Sequence, residues 1–266
     1  MPPVWTTKDI AHALDTSRHH LFLKWMIVTG VTAFALSAFW HLGLIQRIYA
    51  GDVSYLSIVI SVLFLTFTMH CAIRTYGISR ELYEAARVSE ILRAGRSRTL
   101  GLAGDGVLVG NETVLPSCLL TDFIAELLRI RESGEERAGE RTAWAQLLDS
   151  YGQQIRGGQD IGWFIADIMI KLGLLGTGIG FALLLNAVTN VAHLDVTNMK
   201  DAILAMSGGM GVKLYATISG LSGAMLLSLQ YQFLDRGADD LVALITKVIE
   251  VQVAPLLKSR DGATTT

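Results

Sequence analysis

Cysteine is almost absent from this chain of 266 residues: Cys71 and Cys118 are its two, and they stand in no metal or redox spacing. That excludes a disulfide framework and a cysteine-based zinc site, and both read as buried thiols. Charge is scarce as well. Lys, Arg, Asp and Glu make up 17% of the residues and sum to a net charge of -2, so there is no basic field for gripping phosphate backbones, and nucleic acid is set aside as a partner. Catalytic groupings are missing too. No nucleophile, base and orienting group form a pattern, and Gly101 to Gly110 lacks the Lys-Ser/Thr ending of a phosphate loop, so the chain reads as no enzyme, with no cofactor. His41 and His70 fall near the ends of apolar runs with no second ligand at helical spacing, and no metal is expected.

Apolar residues are what the chain has in excess: 51% of the total, with a mean hydropathy of +0.43. Trp25 to Ile45 and Val53 to Ile73 each run about 21 residues without a formal charge, enough at roughly 1.5 Å per residue to cross about 30 Å of hydrocarbon. The polar segment before the first run and the run's length argue for a retained helix rather than a cleaved signal. A third run extends from Ile161 to about Val191; it carries Asp167 and Lys171 near its start and is uncharged from Leu172 through Leu194. A fourth extends from about Ala202 to Leu234 with Lys213 as its one charge. The predicted fold is an all-α polytopic membrane protein with four transmembrane helices in two hairpins.

The segment between the second and third runs holds Arg74, Arg80, Arg87, Arg93, Arg96 and Arg98, whereas the short links on the other side hold Arg47 and Lys200. The positive-inside rule then places the long segment and both termini in the cytoplasm. The expected organisation is a cytoplasmic N-terminus (1–24), a first hairpin (25–75), a cytoplasmic domain (76–160), a second hairpin (161–235), and a C-terminal helix and tail (236–266). Within the cytoplasmic domain, Ile78 to Ala94, Cys118 to Ile130 and Thr142 to Ile155 show helical periodicity. Between them lies a small turn-rich insert (99–116). There, alternation around Gly110-Asn111 predicts a hairpin over Gly106 to Leu115.

Small residues mark the second hairpin. Gly173, Gly176, Thr177 and Gly180 recur at three- and four-residue spacing, and Ala216, Gly220 and Ala224 repeat every four, flanked by Thr217, Ser219, Ser222 and Gly223. Such faces let helix backbones approach closely, and the plain use is packing within the chain. Thr177 and Thr217 add a second use: a membrane hydroxyl bonds back to its own helix, or it solvates an ion or a partner's carboxyl group. Because no carboxylate stands in mid-span, a proton path here requires one from another polypeptide. Asp167 and Lys171, one turn apart, read either as an anchoring ion pair worth a few tenths of a kcal/mol or as part of a pathway. Lys213 carries the same two readings.

Lys171-Leu-Gly-Leu-Leu-Gly-Thr-Gly-Ile-Gly-Phe181 resembles the GLLGTVxGF signature of the MotA/TolQ/ExbB proton-channel family. Met206-Ser-Gly-Gly-Met-Gly-Val-Lys-Leu-Tyr-Ala-Thr-Ile-Ser-Gly-Leu221 is similar to the family's second motif, a threonine followed closely by glycine. The resemblance covers roughly Ile161 to Val242. It implies a homo-oligomer, a pentameric ring in the inner membrane around a dimer of a single-span MotB/TolR/ExbD-like protein whose aspartate carries protons or sodium. By that resemblance Thr177 and Thr217 line the ion pathway, and Gly173, Gly176, Gly180, Gly211 and Gly220 serve close packing. The leading hairpin is similar in layout to MotA and to the Zorya motor subunit. Departures are Ile170 where many members have proline, Val212 and Lys213 where ExbB-like proteins have glutamate, and a short C-terminus. The implied function is a motor subunit. The alternative is a nonconducting scaffold that oligomerises in membrane lipid and recruits cytoplasmic proteins through Arg87 to Arg98.

Overall fold

A computed structural model describes residues 20–52, 55–94, 100–103, 106–110, 113–132, 140–189 and 196–256; the side chains of 196–213 lie outside the described set. Helix α1 (His20–His41) is followed by a short α2 (Leu44–Gly51) and a 39-residue α3 (Leu56–Ala94). Strands β1 (Leu100–Ala103), β2 (Gly106–Val109) and β3 (Thr113–Val114) come next, then α4 (Leu119–Glu132) and α5 (Glu140–Gly157). Helix α6 (Asp160–Thr189) has 30 residues and α7 (Val196–Val248) has 53, and α7 runs on into a π-helical turn, Ile249–Val253.

Three stretches among the described residues are long and apolar enough to cross a membrane: Phe22–His41, Leu56–Arg93 and Gln146–Ala182. This is a membrane protein. One boundary differs from the sequence expectation. The first apolar run does not continue as helix to Ile45: it stops at His41, because Gly43 takes a left-handed backbone with φ of 72°. Glycine adopts that conformation at little cost, and it ends α1 in a tight turn before α2, which takes up the end of the expected first run and most of the link expected over Arg47 to Asp52. Asp52 then receives the chain: its carboxylate accepts the Ser57 N–H at 2.6 Å and so satisfies a donor in the first turn of α3.

The chain divides into two compact units. The polar unit comprises Met1–Leu23, Arg74–Gly158 and Leu234–Thr266. Its three strands form an antiparallel sheet in the order β1-β2-β3. The predicted hairpin is present, with Val109 opposite Thr113 across a turn whose Gly110 has φ of 67°. Helix α4 lies on β1 and β2. Leu100, Val107 and Val109 are buried from the sheet, with Leu115 just after it, as are Leu120, Phe123, Ile124 and Leu127 from α4. The Phe123 ring meets Tyr151 of α5 edge-on at 5.3 Å.

Helix ends in this unit are closed by side chains from elsewhere. The Glu81 carboxylate accepts the Leu119 N–H at 2.9 Å, satisfying an orphan donor where the α4 dipole is positive. Arg74 donates to the Ile155 carbonyl at 3.1 Å, placing a cation at the negative end of α5. Gly158 keeps room for this: a Cβ there would run into the Arg74 guanidinium.

The apolar unit comprises Lys24–Ile73 and Gln159–Phe233. Large apolar side chains are exposed on it far more than on a water-soluble core, although Ile60, Met169, Leu227 and Tyr231 are buried. Phe34 and Met225 are each 76% exposed, and Val31, Leu65, Ile218 and Leu221 also face outward, while Ala216 and Ala224 are buried. Outward apolar side chains and inward small ones are what a lipid solvent selects.

Candidate ion-pathway site

Helices α6 and α7 are joined along a seam of bare backbone. A Cβ on Gly173 would stand 3.0 Å from the Ala216 carbonyl oxygen and 3.2 Å from the Thr217 Cα. On Gly220 it would stand 2.6 Å from the Met169 carbonyl oxygen and 2.9 Å from the Gly173 Cα. On Gly176 it would stand 2.6 Å from the Ala216 Cβ. These glycines are spent on contact within the chain, where each lets the facing helix approach to backbone distance. Ala224 is buried on the same α7 face, and Gly180 is half-buried. Gly211 and Lys213 fall in the α7 helix, with their side chains outside the described set.

At one end of this seam the two threonine hydroxyls are hydrogen-bonded to each other. Both also reach the Gly173 carbonyl, Thr217 Oγ1 at 3.0 Å across the helix pair and Thr177 Oγ1 at 3.3 Å within its own helix. The carbonyl is open to Thr217 because Gly173 has no side chain to cover it. Both threonines are half-buried. A hydroxyl has one proton and two lone pairs, so a pair that donates within itself and to a carbonyl offers a further guest mainly acceptor capacity.

Asp167 and Lys171 are ion-paired on α6, with 52% and 69% of their side-chain surface exposed. They are separate from the seam. No group of three or more metal-ligating side chains occurs among the described residues.

Sequence reasoning missed the far end of the seam. There Gly162 lies against the Tyr231 ring, and the Tyr231 hydroxyl is 2.8 Å from His70 Nδ1 on α3, with the rings stacked at 6.3 Å. His70 is thereby a partner of a buried tyrosine. The signal was available: counting three helical turns, about eleven residues, outward from Gly173 and Gly220 in an antiparallel pair arrives at Gly162 and Tyr231. Also missed was a hydroxyl contact between α7 and α3, Ser219 Oγ donating to Ser57 Oγ at 3.2 Å.

Residues 118–247 match the model of the MotA/TolQ/ExbB proton channel family. Over that region the chain belongs to this family. The match takes in α4, α5, α6 and nearly all of α7, so the MotA/TolQ/ExbB region includes both threonines and reaches further toward the N-terminus than the two motifs do. Helices α1 to α3 precede it. It is a family of proton channels, not of enzymes. No curated protein and no solved structure gives a significant match.

Proposed function

We propose that the chain is the ring-forming subunit of a rotary motor driven by ion-motive force, which conducts protons, or sodium, with a single-span partner bearing a membrane aspartate. The observation that carries this is the Thr177 and Thr217 hydroxyl pair over the Gly173 carbonyl, inside the family region. Lone pairs suit a cation or the proton of a neutral carboxyl group, and repel a carboxylate. The side-chain pair holds no acid of its own, so the titrating group belongs to the partner. In this reading α6 and α7 form the second membrane hairpin, α1 and α3 the first, and both termini lie in the cytoplasm. Five copies surround a dimer of the partner in the inner membrane, and each proton passing the threonine level advances the ring by one step.

The test is proton flux in vesicles containing both chains, with Thr177 and Thr217 replaced together by valine. Flux at least tenfold below wild type, with the oligomer intact, is the expected result. Wild-type flux in that double variant overturns the role of the two threonines, and absence of flux in the wild-type pair of chains overturns conduction itself.

A nonconducting scaffold is the second reading. It is favoured by the glycines being occupied inside the chain, which a purely structural membrane module needs equally. An intact oligomer with its partner that passes no protons under any applied gradient supports it.

A further inference from the structure

The Asp167 and Lys171 ion pair lies where a lipid-facing helix carries no charge. Contacts within the apolar unit fix its depth. Near one end Gly162 abuts Tyr231, which bonds His70; near the other Gly176 abuts Ala216 and Leu56. Between these levels the facing stretches of α3 (Leu56 to His70) and α7 (Ala216 to Tyr231) contain no Asp, Glu, Lys or Arg. The slab so defined spans about 21 Å of α6, and Asp167 and Lys171 sit roughly 7 Å inside its two edges.

Lys171 leans toward Asp167 rather than out of the slab, and both side chains are more than half exposed on the protomer surface. In hydrocarbon each charge at such a depth costs several kcal/mol, and snorkelling does not rescue an ammonium whose anion is itself in the slab.

At 100° per residue, Asp160, Phe164, Asp167, Lys171, Leu174 and Gly178 fall on one stripe of α6. Nothing lies within 4 Å of where a Cβ on Gly178 would be. Leu175 and Ile179 are also exposed, but on the adjoining apolar strip.

We propose that this stripe of α6 lines an aqueous vestibule, open from the Asp160 end and leading to the level of Thr177, with Asp167 its cation-attracting group and Lys171 the counter-ion that tempers it. The proposal deepens the conducting reading by assigning which surface of each subunit faces water. The pair then sets how many cations wait at the threonines. Losing the carboxylate leaves a bare ammonium that repels them, and losing the ammonium leaves a bare carboxylate that gathers them.

Single cysteines at Phe164, Leu174 and Gly178, which leave the ion pair in place, are compared with cysteines at Ile161, Leu175 and Ile179. The full chain is used in its native membrane with its partner present, and the probe is a charged methanethiosulfonate reagent. Wild-type Cys71 and Cys118 are both buried, so background is low. The stripe positions should react at least tenfold faster, and Leu174 against Leu175 is the sharpest pair because the depth is nearly the same. Equal rates, or faster reaction on the adjoining strip, overturn the vestibule whatever the flux. If the vestibule holds, Asp167→Asn lowers proton flux several-fold and Lys171→Gln does not; equal loss in both assigns the pair to structure and removes its role. A tenfold stripe preference together with wild-type flux in the double threonine variant removes Thr177 and Thr217 from the pathway and leaves the water-facing surface standing.

Discussion

The two units of this chain solve the same problem in opposite ways. The polar unit is held by bulk: Leu120, Phe123, Ile124, Leu241 and Ile245 are nearly fully buried, as in any water-soluble domain. The apolar unit turns many of its large side chains outward and joins α6 to α7 through glycine and alanine, although Ile60, Met169, Leu227 and Tyr231 are buried within it. The difference follows from the solvent each unit meets. Water drives large apolar groups together, whereas lipid tails are as apolar as leucine and leave close backbone contact as the remaining force between helices.

The contrast breaks most sharply under substitutions of opposite sense. Gly220→Val adds atoms where a carbonyl oxygen and a Cα already stand within 3 Å of a Cβ, so the seam has to open. The expected outcome is loss of monodisperse protein on detergent size-exclusion chromatography, while Gly178→Val behaves as wild type. In the polar unit removal is what harms: Phe123→Ala costs about 3–5 kcal/mol, read as a fall in thermal midpoint. If Gly220→Val were tolerated and Phe123→Ala harmless, the division into a backbone-packed and a side-chain-packed unit would be wrong.

A smaller effect tests the far end of the seam. Tyr231→Phe keeps the ring against Gly162 and removes the hydroxyl that meets His70, so it should cost about 1 kcal/mol or less. An equilibrium unfolding titration in detergent measures it, and a loss much larger than this would show that His70 does more than hold the tyrosine.

The smallest effect lies in the polar unit and depends on pH. Burial, partly opposed by a hydrogen bond with Thr121, raises the Cys118 thiol above its ordinary 9.0. The unfolded chain therefore gives up this proton first. Whatever stability the neutral thiol contributes is complete below pH 9.0 and declines as pH climbs from there toward the folded value. Cys118→Ser should flatten that decline in melts between pH 8 and pH 10.5. An unchanged slope would mean the thiol titrates freely.

Much of this was legible in the residues. The first three apolar runs overlap the stretches long and apolar enough to cross a membrane, and the turn at Gly110-Asn111 announced the small sheet, since both signals are local. The stripes at Gly173, Gly176 and Gly220 pointed to close packing, and the structure supplies the partner each faces. Less legible were events that depend on who stands opposite. A glycine in the left-handed region at Gly43 ends a helix that hydropathy alone would continue to Ile45. The bond between His70 and Tyr231 joins residues far apart in sequence, and periodicity says nothing about which helices meet. Asp167 and Lys171 were visible as a pair, but their depth became readable once contacts at both ends of the seam gave a ruler.

The Gly173 and Gly220 backbones touch with no side chain between them, so there is nothing at that point to repack. Any shape change leaves these two helices travelling together as a single plate, and bending is confined to the rims of that plate or to the turns that lead into it.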